Sequence, residues 1–162
     1  EEYVKNSICG KCIQGTGTEY QGYGKNPDID IQTDFSSNST VFEADLLVTD
    51  WSGIAYEYAF TTKKPVLFVD TPMKVMNPEY QKIDTVPINI WMRDVIGDRL
   101  DPTKTEETES KVRNLLEQKD AYHDRIEKFV EEYVYNLGNS AEVGAKYIVQ
   151  AVQEQIKKAK EQ

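Results

Sequence analysis

Apolar and polar positions change rhythm several times along this chain, and each change predicts an element. From Asp28, Ile29 and Ile31 alternate with Asp30 and Gln32, the period-two pattern of a short strand ending near Thr33-Asp34. Residues 36–44 predict a short helix with Val41, Phe42 and Ala44 on its inner side. Leu46-Leu47-Val48 is a continuous apolar run between Asp45 and Thr49-Asp50, which fits a strand covered on both faces. After Ser52-Gly53, residues Ile54, Ala55, Tyr58 and Ala59 recur at helical spacing until Lys63-Lys64-Pro65 ends the run. Val66-Leu67-Phe68-Val69 predicts another buried strand, closed by Asp70-Thr71-Pro72, and residues Ile88 to Trp91 predict a fourth.

The remainder reads as helix. Thr103 with Glu106 has the spacing of a capping box ahead of Val112, Leu115 and Leu116. Residues 119–135 carry Tyr122, Ile126, Phe129, Val130 and Tyr133 at spacings of three and four, and Gly138 breaks that helix. Asn139 with Glu142 predicts a further cap, and Val143, Tyr147, Ile148 and Ala151 predict the inner stripe of a final helix. Its end, Lys157-Lys158-Ala159-Lys160, puts positive charge where the macrodipole favours it. Alternating strands and helices with short connections predict the α/β class: a Rossmann-like parallel sheet flanked by helices, with further helices at the C-terminus.

Residues 1–27 differ. Tyr3, Val4 and Ile8 suggest one face of a short helix, and five glycines between Gly10 and Gly24 predict a loop-rich edge. Together with a first residue that is not methionine, this suggests an excised part of a larger protein, with 28–162 as its nucleotide-binding domain.

Composition narrows the function classes. Against 28 acidic residues stand 19 basic ones, a net charge of −9, so a nucleic-acid backbone or an anionic membrane surface is a poor general partner. No apolar run approaches the length of a membrane span. One histidine, His123, excludes any site built on two or three; it reads as a solvated helix residue. Cys9-Gly10-Lys11-Cys12 has redox or half-zinc spacing, but no apolar strand precedes it, glycines follow it and no second ligand pair exists. No metal or cofactor is expected. Gly15-Thr16-Gly17 lacks the Gly-Lys-Ser/Thr ending of a P-loop.

The chemistry concentrates at Thr49-Asp50-Trp51-Ser52-Gly53, where a buried strand runs straight into a helix. Amides of a first helical turn lack intrahelical partners and face outward with the positive end of the dipole, so a phosphate docks well there. Gly53 has no Cβ to obstruct approach, Ser52 can cap the helix and donate to a phosphate oxygen, and Asp50 can orient the loop. Glu57, one turn on, is placed to accept from ribose hydroxyls. Lys74, after the next strand on the same edge, and Arg93 are candidate point charges for a phosphate. A plain capping turn with a solvated Glu57 and surface lysine fits the same residues, so both readings stay open.

Ala44-Asp45, three apolar residues, Thr49-Asp50, Trp51, Ser52-Gly53, Glu57-Tyr58 and then Lys64-Pro65-Val66-Leu67-Phe68 resemble the CDP-glycerol glycerophosphotransferase family. These bacterial enzymes prime and polymerise the glycerol-phosphate or ribitol-phosphate chains of teichoic acids. The resemblance is close over residues 28–80 and loose over the C-terminal helices. It implies the C-terminal, donor-binding half of a GT-B fold, with Ser52 and Gly53 at the serine pair that contacts the diphosphate. Glu57 then stands at the acidic residue near the ribose. Gly53 in place of the second serine, and Glu57 where aspartate is common, weaken the choice of glycerol over a sugar. The family's histidines have no counterpart in the matched motif, so catalysis is expected to need an N-terminal Rossmann-like domain that this chain lacks. The partners implied are CDP-glycerol or a related donor and a polyol-phosphate or glycan acceptor. The implied location is the cytoplasm, at the inner face of the cell membrane through parts outside this chain. A sugar-nucleotide GT-B glycosyltransferase and a non-catalytic nucleotide-binding module are the alternatives.

Overall fold

The computed structural model describes residues 39–73 and 77–160, together with the backbone of two strands at 6–9 and 29–32. Chain contacts divide it into two units, 1–127 and 128–162.

In the first unit, β1 (Asn6–Cys9) and β2 (Ile29–Gln32) pair in parallel, with Asn6 opposite Ile29 and Cys9 opposite Gln32. The helix suggested around Ile8 is therefore a strand: four residues here find a partner edge, and a short segment gains more from a ladder than from an isolated helical turn. Tyr3, Val4, Cys12 and the glycine-rich run lie outside the described residues. Helix α1 (Ser39–Glu43) buries Val41.

A separate three-stranded parallel sheet forms the core in the order β3 (Leu47–Thr49), β4 (Val66–Val69), β5 (Gly97–Leu100). Between β3 and β4 runs α2 (Ile54–Thr62), which buries Ala55, Tyr58 and Ala59 as its spacing requires. Lys63 ends it in the left-handed region at φ 58°, its amide bonded to the Ala59 carbonyl. β4 is central, and Val66, Leu67 and Phe68 have no exposure. β3 is an edge, and Val48 is half exposed, so the apolar run there is not covered on both faces as predicted.

The predicted fourth strand is also corrected. Ile88–Trp91 is one helical turn, α3, entered from Pro87 at φ −56°, and α4 (Arg93–Ile96) follows at once. Proline's fixed φ suits a helix start, and the Met92 amide closes the turn on the Ile88 carbonyl at 3.0 Å. The third strand of the sheet is β5, whose first residue, Gly97, lies opposite Val66; a Cβ there would fall 1.8 Å from the Val66 carbonyl oxygen.

Helix α5 (Thr108–Glu117) packs on β4 and β5 and buries Leu115. The predicted Thr103–Glu106 box does not form. Thr103 donates through its amide and its hydroxyl to Asp101 Oδ1, closing a local turn, and a short 3-10 turn at Thr105–Glu107 precedes the helix. Such side-chain turns compete directly with capping. In α6 (Lys119–Tyr133), Tyr122, Ile126, Phe129 and Val130 are buried. Asn136 and Gly138 then turn the chain with φ of 56° and 84°.

In the second unit, α7 (Ser140–Lys160) starts where predicted, the Asn139 carbonyl accepting the Val143 amide. Its predicted inner stripe is not buried: Tyr147 and Ile148 are 73% and 63% exposed, and no residue of the helix is buried. One long helix with the end of another supplies no second layer to cover it. Among the described residues, no helix is long and apolar enough to cross a membrane.

Candidate functional site

β3 and β4 run in parallel, so their carboxyl ends lie side by side, and the chain leaves both at one edge of the sheet. That edge of an open α/β sheet is where ligands enter. From β3 come Asp50, Trp51, Ser52 and Gly53, and from β4 come Asp70 and Thr71.

The amides at the start of α2 divide into two groups. Ala55 and Tyr56 donate to the carbonyls of Ser52 and Gly53, at 3.3 and 3.1 Å. Those of Ser52, Gly53 and Ile54 have no hydrogen-bond partner among the described residues. Gly53 is the N-cap residue, exposed and in ordinary helical geometry (φ −62°, ψ −23°), and a Cβ on it would meet nothing within 4 Å. Its value is therefore open space, not unusual backbone. The predicted Ser52 cap is not made: no side chain caps this helix, because Gly53 takes the N-cap position and leaves Ser52 outside it.

Asp50 and Glu57 are exposed, and their carboxylates make no hydrogen bond among the described residues. Lys74 lies outside the described residues. The turn is oriented by Trp51, whose indole Nε1 donates to the Thr71 carbonyl oxygen at 2.8 Å and so ties the end of β3 to the end of β4. Tyr56 Oη donates to the Asn89 carbonyl at 3.0 Å, tying α2 to α3. Burial raises the Tyr56 pKa, and the nearby charge of Arg93 opposes that rise.

Behind the turn lies Arg93, one of the two candidate point charges. The Arg93 side chain is 1% exposed, its Cζ 3.9 Å from the Trp51 ring centre and 4.6 Å from that of Phe68. Nη2 lies 2.9 Å from Asp70 Oδ1 in a charge-assisted pair, while Nε and Nη1 are buried without a partner among the described residues. Desolvation lowers the Arg93 pKa and Asp70 raises it, which leaves a guanidinium charged at any ordinary pH. The Thr49 hydroxyl, at the end of β3, is likewise buried without a partner among the described residues. No local pattern marks Arg93; only the contacts of β4 and α4 with the turn identify it.

Other motif residues serve the opposite edge. The Ala44 carbonyl accepts from Lys64 Nζ at 2.8 Å and from Tyr58 Oη at 2.9 Å, and Lys64 Nζ lies 3.3 Å from Asp45 Oδ1. These contacts fasten the amino ends of β3 and β4. His123 is half exposed, 3.5 Å from Asp124 Oδ1. A surface hollow on α5 lined by Glu106, Glu109, Arg113 and Glu117 is too acidic to hold a phosphate. Among the described residues, no cluster of three metal-ligating side chains occurs.

Residues 18–152 match the family model described as CDP-Glycerol:Poly(glycerophosphate) glycerophosphotransferase. No curated protein and no solved structure matches the chain. The matched span takes in the sheet, the β3–α2 turn and most of the helices, and on that extent the chain belongs to the CDP-glycerol:poly(glycerophosphate) glycerophosphotransferase family.

Proposed function

We propose that this chain is the donor-binding part of a glycerophosphotransferase that moves glycerol phosphate from CDP-glycerol to a teichoic acid type acceptor. The observation that carries the reading is the set of unpartnered amides at Ser52, Gly53 and Ile54, beside an open glycine at the carboxyl edge of the sheet. Those donors suit a diphosphate, and the Ser52 hydroxyl adds another. Glu57, at i+4 from Gly53, suits the ribose hydroxyls.

In the reaction, an acceptor hydroxyl oxygen attacks the β-phosphorus of the donor. The bond from that phosphorus to the bridging oxygen breaks, and CMP leaves with the electron pair. Catalysis of such a transfer is mostly positioning and stabilisation of charge on the leaving phosphate, which is what a helix N-terminus supplies. The base that takes the hydroxyl proton is assigned to a partner domain, since among the described residues His123 has its contact with Asp124 and none with this turn. The transferase role fits a cytoplasmic location, at the inner face of the membrane through other parts of the protein.

Calorimetry with CMP, UMP and UDP tests the reading. Preference for CMP supports it, preference for UDP points to a sugar-nucleotide glycosyltransferase, and no binding to any of the three overturns it.

A further inference from the structure

Arg93 carries a charge into the core with almost no exposure, and among the described residues its Nε and Nη1 have no hydrogen-bond partner. Buried donors without partners are rare, and a position between two aromatic rings is filled at lower cost by an apolar side chain. Arginine cannot escape the cost by losing its proton. Its counter-charge among the described residues, Asp70, is 37% exposed at the side chain, so water can solvate that carboxylate if the pair opens. The Thr49 hydroxyl, also buried without a partner among the described residues, ends the strand that leads into the same turn. The Trp51 ring that lies against the guanidinium belongs to the residue next to Ser52, whose amide is one of the unpartnered donors. In a chain of net charge −9, a dianionic ligand also needs a local cation.

Building on the phosphate reading above, we propose that Arg93 is the cation that receives the donor's diphosphate. Asp70 holds it behind Trp51 in the free protein, and on binding the guanidinium exchanges that carboxylate for phosphate oxygens. The exchange replaces one charge-assisted contact by another, and the planar fork of donors matches two phosphate oxygens as a lysine would not. Nε and Nη1 then gain acceptors in the complex, and Trp51 moves or changes environment as the exchange occurs.

The test is titration of the full chain with CDP and with cytidine, read by calorimetry and, in a Trp91→Phe background, by Trp51 fluorescence. CDP is expected to bind and to shift the Trp51 emission, whereas cytidine leaves the emission unchanged. Arg93→Met is expected to weaken CDP at least tenfold without altering the response to cytidine, with Arg93→Lys between it and the wild type. Asp70→Asn, which removes the internal competitor, is expected to tighten CDP severalfold. If folded Arg93→Met binds CDP like the wild type, the proposal fails while the phosphate reading stands. If Arg93→Met does not fold, Asp70→Asn decides, and CDP affinity at or below the wild-type value overturns the proposal. Absence of CDP binding to the wild type would refute the phosphate reading itself.

Discussion

The guanidinium of Arg93 lies 3.9 Å from the ring centre of Trp51, joining the first residue of α4 to the turn that follows β3. Trp51 is in turn pinned to Thr71 through its indole nitrogen, and Arg93 to Asp70. The turn bearing Ser52 and Gly53 is thus held from behind by side chains from β4 and α4, so its outer amides need no internal partner. At the other end of the strands, Lys64, Tyr58 and Ala44 form a clamp. The segment therefore has two ends: Ala44, Asp45 and Lys64 fix the amino ends of the strands, and Trp51 to Gly53 lie at the carboxyl ends, where the proposed diphosphate would bind.

The clamp predicts a separation of stability from binding. Lys64→Met loses the bond to the Ala44 carbonyl and the contact with Asp45, while Tyr58 still serves that carbonyl. We expect a loss of about 1 kcal/mol, as for one hydrogen bond to a charged group discounted for partial exposure. Urea unfolding measures it, and CDP affinity should not change.

Gly97 predicts a larger effect. A methyl group at this position would meet the Val66 carbonyl at 1.8 Å, and the opposing atom is backbone that cannot swing away. Gly97→Ala should cost at least about 2 kcal/mol, the range of overpacked core sites, with β4 and β5 forced apart. Its urea midpoint should fall accordingly.

Gly53 predicts the reverse. Its helical geometry and open surroundings accept alanine, so Gly53→Ala should leave stability within about 0.5 kcal/mol. The new methyl would stand beside the unpartnered amides and should weaken CDP severalfold by calorimetry, leaving cytidine unaffected.

Tyr58 sets an alkaline limit. It has no exposed surface, its hydroxyl donates to the Ala44 carbonyl, and burial raises its pKa well above the ordinary tyrosine value of about 10. Above that value the unfolded chain releases a proton that the folded chain retains. The stabilising contribution is complete below about pH 10 and is lost as pH rises towards the folded pKa. Thermal unfolding should show stability falling above about pH 10, with a shallower fall for Tyr58→Phe.

Much of the fold was legible because local pattern and burial agree. Val66-Leu67-Phe68 is apolar without interruption and lies in the central strand, and Ala55, Tyr58 and Ala59 face inward at helical spacing. β5 was not legible: Gly97-Asp98-Arg99-Leu100 has no apolar alternation, since it is an edge strand chosen for close backbone approach to Val66 and for the Asp98–Lys111 and Asp94–Arg99 ion pairs. Ile88 to Trp91 misled in the opposite direction, because a short apolar run suits a helical turn as well as a strand. At the site, the strand-to-helix turn was visible from Ser52-Gly53 alone. Arg93 was visible only as a candidate point charge; its burial was not, for that depends on Trp51, Phe68 and Asp70, brought to it from distant points in the chain.

The most direct measurement is an amide-resolved proton–nitrogen NMR titration with CDP. The largest shifts should fall on the Ser52, Gly53 and Ile54 amides, moving downfield as they acquire phosphate acceptors, with cytidine producing no such change. Saturable CDP binding that leaves those three amides in place would contradict the account.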